Sequence, residues 1–198
     1  MRVVLASQSP YRKAQLERFG FTFSAVPPRV DEEQLKSSGP QDPAELTRFL
    51  ALAKARSLSA EFPDALIIGS DQIAEFEGDR LDKPGTKEKA LQQLRRMAGR
   101  SHQLITSVAV VLGKSSEVST THTRIHLRSL QDSTIEAYLE LDTPYDCAGA
   151  YKIERAGLGL IDSVEGPDPS AIEGLPLIGL THCLIQLGLR PQNLWRKK

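Results

Sequence analysis

Residues 104–112 form an apolar, β-branched run, and residues 120–127 read as a second strand after a turn over 113–116. Two long strands joined by so short a turn pair antiparallel. Helical and strand patterns mix around them without strict alternation, so the expectation is an α/β or α+β chain with a mixed sheet. Elsewhere, strands are expected over 2–6, 21–26, 65–69, 148–153 and 158–164, with 72–76 continuing the 65–69 strand or pairing back on it. A helix starts at Pro10 and stops at Gly20. Residues 29–42 read as a polar connection. Asp42, Pro43 and Glu45 open a helix that runs to about Phe62. Glu77-Gly78-Asp79 reads as a hairpin turn. Thr86 caps a helix ending near Gly99, Ser129 and Asp132 form a capping box for a helix reaching Leu141, and a last helix covers 175–187 with Gly188 as its stop.

The chain has 198 residues, which suits one domain over 1–198, in two lobes. With 40% hydrophobic and 25% charged residues, disorder and collagen-like structure are excluded. Lys+Arg and Asp+Glu both number 25. That neutrality argues against gripping duplex nucleic acid or an anionic membrane over the whole surface, but leaves room for a small anion in one basic pocket. Cys147 and Cys183 form no CxxC pair and read as reduced, buried thiols. His102, His122, His126 and His182 show no zinc-ligand spacing. No apolar run approaches the ~18 residues of a membrane span, and the N-terminal apolar stretch is too short for a signal peptide. A cytoplasmic location is the simplest expectation. Arg196-Lys197-Lys198 is a basic tail with no assignable role.

Several residues sit where chemistry could use them. Ser7-Gln8-Ser9-Pro10-Tyr11-Arg12 joins a buried strand to a helix. Unsatisfied N–H groups at a helix start attract phosphate, and Ser7, Ser9 and Arg12 would add donors; the same pattern also serves as a plain cap. Asp71, in Gly69-Ser70-Asp71-Gln72 after an apolar strand, could hold a metal or activate water, or simply close a turn. Lys54 lies on a helix with an apolar face, Lys83 precedes Pro84, and Glu32 follows Val30-Asp31; singly, each is compatible with solvated surface. Cys147-Ala148-Gly149-Ala150-Tyr151 before Glu154, and Glu173-Gly174-Leu175-Pro176, are compatible with tight packing or with close backbone approach to a ligand.

Taken in order, the blocks Ala6-Ser7-Gln8-Ser9-Pro10-Tyr11-Arg12, Val30-Asp31-Glu32, Ala53-Lys54-Ala55, Gly69-Ser70-Asp71, Lys83-Pro84, Ala148-Gly149-Ala150-Tyr151 and Gly174-Leu175-Pro176-Leu177 resemble the Maf family of nucleotide pyrophosphatases over residues 3–188. The resemblance implies a two-lobed Maf/ITPase-like α/β fold, with a twisted mixed sheet and a cleft. It implies hydrolysis of a nucleoside triphosphate to the monophosphate and pyrophosphate, dependent on a divalent cation such as Mg²⁺, Mn²⁺ or Co²⁺. On that pattern Asp71 is the general base, and Ser7, Ser9, Arg12, Lys54 and Lys83 meet the triphosphate. Glu32 and Asp71 are the carboxylates associated with the metal. The implied partner is a nucleotide, with no nucleic acid or membrane; a homodimer is compatible, symmetric dimers being the commonest assemblies.

Three positions separate branches of the family. Branches acting on dTTP and UTP typically carry Arg, Thr and Gln where this sequence has Tyr11, Gln72 and Glu154. The set here resembles the branch acting on 7-methyl-GTP, whose first position is typically Trp. N7-methylation makes guanine cationic, which suits an aromatic face and a carboxylate. The expectation is therefore 7-methyl-GTP hydrolysis. The alternatives are the same chemistry on dTTP, UTP or another noncanonical nucleotide, and a non-catalytic nucleotide-binding regulator of cell division.

Overall fold

The computed structural model describes residues 1–195; the Arg196-Lys197-Lys198 tail lies outside them. In chain order the elements are β1 (Val3–Ala6), α1 (Pro10–Arg18), β2 (Ser24–Val26), α2 (Glu32–Ser38), α3 (Pro43–Arg56), β3 (Leu66–Phe76), β4 (Asp79–Leu81), α4 (Lys87–Met97), β5 (Ser101–Leu112), β6 (Ser115–Leu127), α5 (Asp132–Asp142), β7 (Ile161–Glu165) and α6 (Leu177–Gln186). The strands follow the order β2-β1-β3-β5-β6-β7, with β4 on β3. β1 runs parallel to β2 and β3, whereas β3–β4 and β6–β7 are antiparallel. A two-residue turn, Gly113-Lys114, joins the neighbours β5 and β6 and makes them antiparallel as well. The sheet is mixed, as expected. No helix among the described residues is long and apolar enough to cross a membrane.

The chain divides into two compact units: residues 1–72, 106–121 and 168–198, and residues 73–105 and 122–167. In the first, strand alternation sorts side chains onto two faces. Val3, Leu5, Leu66, Ile68, Val108 and Val110 pack with Leu16 of α1 and with Leu180, Cys183 and Leu184 of α6. Val4, Ala6, Ile67, Ala109 and Val111 face the other way, onto Ala51 and Ala55 of α3. Both faces are covered, which is why these strands read as continuous apolar runs.

Gly69 lies on the α3 side. A Cβ there would sit 2.3 Å from the Ala51 carbonyl oxygen and 2.8 Å from the Ala55 nitrogen. No side chain fits without parting α3 from β3. Gly69→Ala is expected to destabilise the protein by about 1–3 kcal/mol, read from the urea midpoint.

In the second unit Ile73, Phe76, Leu94, Met97, Ile125, Ile135 and Leu139 are buried. Arg95 clamps Asp132 with two bonds, of 2.7 and 2.8 Å. His102 is 2% exposed; its Nε2 lies 2.8 Å from the Tyr151 hydroxyl. Burial lowers its pKa from 6.5 to about 4. The unfolded chain therefore binds a proton that the folded chain refuses over that interval. Stability is full above about pH 6.5 and falls as the pH drops toward 4. The loss between pH 7 and 4.5 is expected to be about 2–3 kcal/mol. Urea midpoints of the wild type and His102→Gln at both pH values check this; the variant should show a flatter dependence.

Several boundaries differ from the sequence reading. Residues 29–42 contain α2, capped by Asp31, whose carboxylate accepts the Gln34 N–H at 3.0 Å. None of its residues is buried, so it carries no hydrophobic periodicity to betray it. The third helix stops at Arg56. Of the two readings of 72–76, continuation holds: β3 runs unbroken over Leu66–Phe76. Ser129 is not a cap: Gln131 occupies that position, and Asp132 faces Arg95 instead. No strand forms over 148–153, because Gly149 and Ala150 both adopt left-handed backbone, with φ of 81° and 60°. Residues 158–160 belong to a 3₁₀ turn, Ala156–Leu160, leaving only β7 as strand. Both cysteines are free; Cys183 is buried, and Cys147 is only partly so.

Candidate active site

The parallel strands β2, β1 and β3 gather candidate residues at their carboxyl ends, where open α/β sheets present ligand sites. Ser7, Ser9 and Arg12 follow β1, Glu32 follows β2, and Asp71 lies in β3 beyond the residues paired with β1. Strand parity decides what each β3 side chain meets. Gly69 and Asp71 face α3, and Ser70 and Gln72 face the other side.

Lys54 is the centre of the α3 side. It shares its face of α3 with Ala51 and Ala55, one turn apart, so the sheet buries its stem. Its ammonium donates to Asp71 Oδ1 at 2.7 Å and pairs with Glu32 Oε2 at 3.0 Å. The Lys54 and Asp71 side chains are 6% and 8% exposed, whereas Glu32 is 42% exposed. One buried cation thus holds two carboxylates together. Asp71 is not a turn residue. Its Oδ1 is pinned, and its Oδ2 accepts no hydrogen bond from a described residue. Burial pushes the Glu32 carboxyl up, but the Lys54 charge and hydrogen bond, with Lys36 and Arg12 behind them, outweigh it and leave it below the ordinary carboxylate range.

Ser9 caps α1, its hydroxyl accepting the Arg12 N–H at 3.4 Å, while the Ser7 hydroxyl accepts the Ser9 N–H at 3.1 Å. The plain cap is therefore present, and it leaves the start of α1 beside two hydroxyls. Arg12 is partly buried and senses both acids. Burial lowers its pKa, and the charges of Asp71 and then Glu32 draw it back up. Its Nε donates to the Gly174 carbonyl at 2.8 Å.

Of the segment 168–176, the sequence points only to the Glu173-Gly174-Leu175-Pro176 block. Asp168 fastens it, accepting the Ile178 and Gly179 N–H groups of α6 at 2.8 and 3.2 Å. Gln15 donates to the carbonyls of Ser170 and Leu175, at 2.7 and 3.3 Å. Gln72, expected to distinguish nucleotides, gives its amide nitrogen to Thr106 Oγ1 at 2.9 Å and to the carbonyls of Ala171 and Ile172 at 3.0 and 3.3 Å. Only its side-chain oxygen is left to face a ligand. Asp168-Pro169-Ser170 does carry a cap signature that sequence reading could have used; the roles of Gln15 and Gln72 leave no local signal.

Tyr11 is the second residue of α1 and partly buried. Lys83 and Glu154 belong to the second unit, and both are exposed. Glu154 is close enough to Tyr138 and Cys147 for its charge to help raise their pKa values, after the larger effect of burial. Lys152, two residues before Glu154, is anchored. Its N–H donates to the Tyr138 hydroxyl at 2.8 Å and its ammonium to the Asp142 carbonyl at 3.2 Å.

The donor set suits a divalent cation only in company. No three His, Cys, Asp or Glu side chains among the described residues converge into a metal cage. Glu32 and Asp71 nonetheless approach each other across Lys54. Two carboxylates completed by substrate phosphates and water are what Mg²⁺ ordinarily takes, so the residues fit such an ion.

The fold and this cluster define an α/β protein with a cation-bridged pair of carboxylates at the carboxyl edge of parallel strands. The family model described as Maf-like protein matches residues 2–187, and the chain belongs to the Maf family. It is 42% identical over 190 residues to a Bordetella parapertussis protein named 7-methyl-GTP pyrophosphatase, covering 96% of this chain and 94% of that one. Proteins of the same name from Aromatoleum aromaticum and Bdellovibrio bacteriovorus are 44% and 45% identical, with 95% and 92% of this chain covered and 96% and 95% of theirs. The solved Ham1 protein of Staphylococcus aureus aligns over 92% of this chain and 98% of its own, at 12% identity and a TM-score of 0.48, too loosely to bear on function.

Proposed function

We propose that this chain is a metal-dependent nucleotide pyrophosphatase that hydrolyses 7-methyl-GTP to 7-methyl-GMP and pyrophosphate. The observation that carries the reading is the Lys54 ammonium held between Asp71 and Glu32, with Arg12 beside them. The shared name of relatives covering nearly the whole chain supports the nucleotide.

The chemistry assigned to the residues is hydrolytic. A water oxygen bonds to the α-phosphorus as the anhydride bond to the β-phosphate breaks. The water's proton passes to Asp71, whose Oδ2 is the oxygen not engaged by Lys54. Lys54 keeps that carboxylate oriented. Arg12, Ser7, Ser9 and the start of α1 hold phosphate oxygens, and Lys83 adds a further cation. A divalent ion held by Glu32, Asp71 and phosphate oxygens would neutralise charge on the triphosphate. Tyr11 offers an aromatic face to the cationic methylguanine, and Glu154 accepts its N1–H and N2–H.

Pyrophosphate release over a nucleotide panel, with and without EDTA, tests the assignment. Turnover highest on 7-methyl-GTP and abolished by EDTA is the expected result. Turnover highest on dTTP or UTP would move the chain to the other branch of the same chemistry. Nucleotide binding with no turnover would make it a regulator. Glu154→Gln should reduce kcat/KM for 7-methyl-GTP about tenfold or more while changing that for UTP little. Equal losses on both substrates would remove Glu154 from base recognition.

A further inference from the structure

We infer that Ser70, acting through the Gly174 carbonyl, is the positioning residue that aims the Arg12 guanidinium. The inference rests on the proposed role of Arg12 in gripping the triphosphate, and it gives Ser70 a task that is neither nucleophilic nor metal-ligating. The Ser70 hydroxyl is fully buried and lies 2.8 Å from both the Gly174 and the Ser107 carbonyl oxygens. Its single proton is shared between them, so β5 and the 168–176 segment are tied to β3 at that point. The Gly174 oxygen accepts a second bond, from Arg12 Nε, at 2.8 Å.

That second bond decides where the guanidinium points. The five N–H donors of an arginine lie in one rigid plane, so fixing Nε fixes the fork. Its two terminal nitrogens donate to no described residue, and they remain for an anion. Gly174 is needed for the arrangement. Its φ is 99°, and a Cβ on it would stand 3.3 Å from Arg12 Nε. The segment is also held on both sides of that carbonyl, since Gln15 binds the carbonyl of Leu175, one residue on, and Gln72 that of Ile172, two residues back. A positively charged fork in a partly buried place gains most from being set before the ligand arrives.

Two readouts test the inference on the full chain. In ¹H–¹⁵N spectra the Arg12 Nε–H signal, assigned by its loss in Arg12→Lys, should exchange slowly with solvent. Ser70→Ala should speed that exchange by about tenfold or more. In kinetics on 7-methyl-GTP, Ser70→Ala should lower kcat/KM about tenfold in the wild-type background and less than twofold when Arg12 is already Ala. Ser70→Thr, which keeps the hydroxyl, should restore both. Ser70→Cys, similar in volume but a weak donor, replaces the alanine variant should that fail to fold. An Arg12 signal unchanged by loss of the hydroxyl would overturn the inference, as would equal kinetic losses in both backgrounds. Faster exchange with unaltered kinetics, and Arg12→Ala equally silent, would uphold the positioning and remove Arg12 from the reaction instead.

Discussion

Asp71→Asn is expected to lower kcat on 7-methyl-GTP by about 10²–10⁴-fold while leaving KM within a few-fold. Asparagine has the same shape, and its oxygen can still accept the bond that Lys54 donates to Asp71 at 2.7 Å. The fold and the grip on phosphate should therefore survive. What disappears is a carboxylate oxygen able to take a proton from water, together with one of two anions available to a divalent ion. Steady-state kinetics beside a near-UV circular dichroism spectrum separate loss of chemistry from loss of structure. A variant with nearly unchanged kcat would strip Asp71 of the role of base.

Lys54→Met is expected to be the most destabilising of the site substitutions, by about 3 kcal/mol, and to be inactive. Methionine can fill the space of the buried stem, so packing alone should change little. The loss comes from Asp71, whose side chain is 8% exposed and would lose the ammonium 2.7 Å away, leaving a buried carboxyl group without its partner. Glu32, 42% exposed, can turn to water and should contribute less. Arg12 remains near both acids and keeps the figure at the lower end of the range for a broken buried pair. The double variant Lys54→Met/Asp71→Asn should recover most of the stability, because it removes both charges. Urea unfolding of the wild type, the single and the double variant checks the sign. A single variant as stable as the wild type would mean that the two groups are better hydrated than their burial implies.

The parts of this architecture visible in the sequence are those governed by period and local chemistry. The continuous apolar runs over 3–6 and before Gly113 mark strands that the sheet contains. Asp42 and Thr86 cap helices as their positions suggest. Lys54 stands out as a charge on an apolar helix face, and it proves to be the centre of the cluster. Its partners could not be read locally. Glu32 and Asp71 reach it only because parallel strands end together and because Gly69 lets α3 lie close on β3. The failures have equally physical causes. α2 buries no residue, so it shows no periodicity. The apolar stretch around Ala150 reads as a strand because left-handed backbone at Gly149 and Ala150 leaves no trace in hydrophobicity. The resemblance places Gln72 among the residues that distinguish nucleotides; strand parity also directs its amide nitrogen to the 168–176 segment, a tie with no local signal in the sequence.

The most direct measurement is hydrolysis of 7-methyl-GTP in H₂¹⁸O, with both products weighed by mass spectrometry. Attack of water at the phosphorus nearest the sugar predicts one ¹⁸O in 7-methyl-GMP and none in pyrophosphate. Label in pyrophosphate, or release of inorganic phosphate with 7-methyl-GDP, would contradict it.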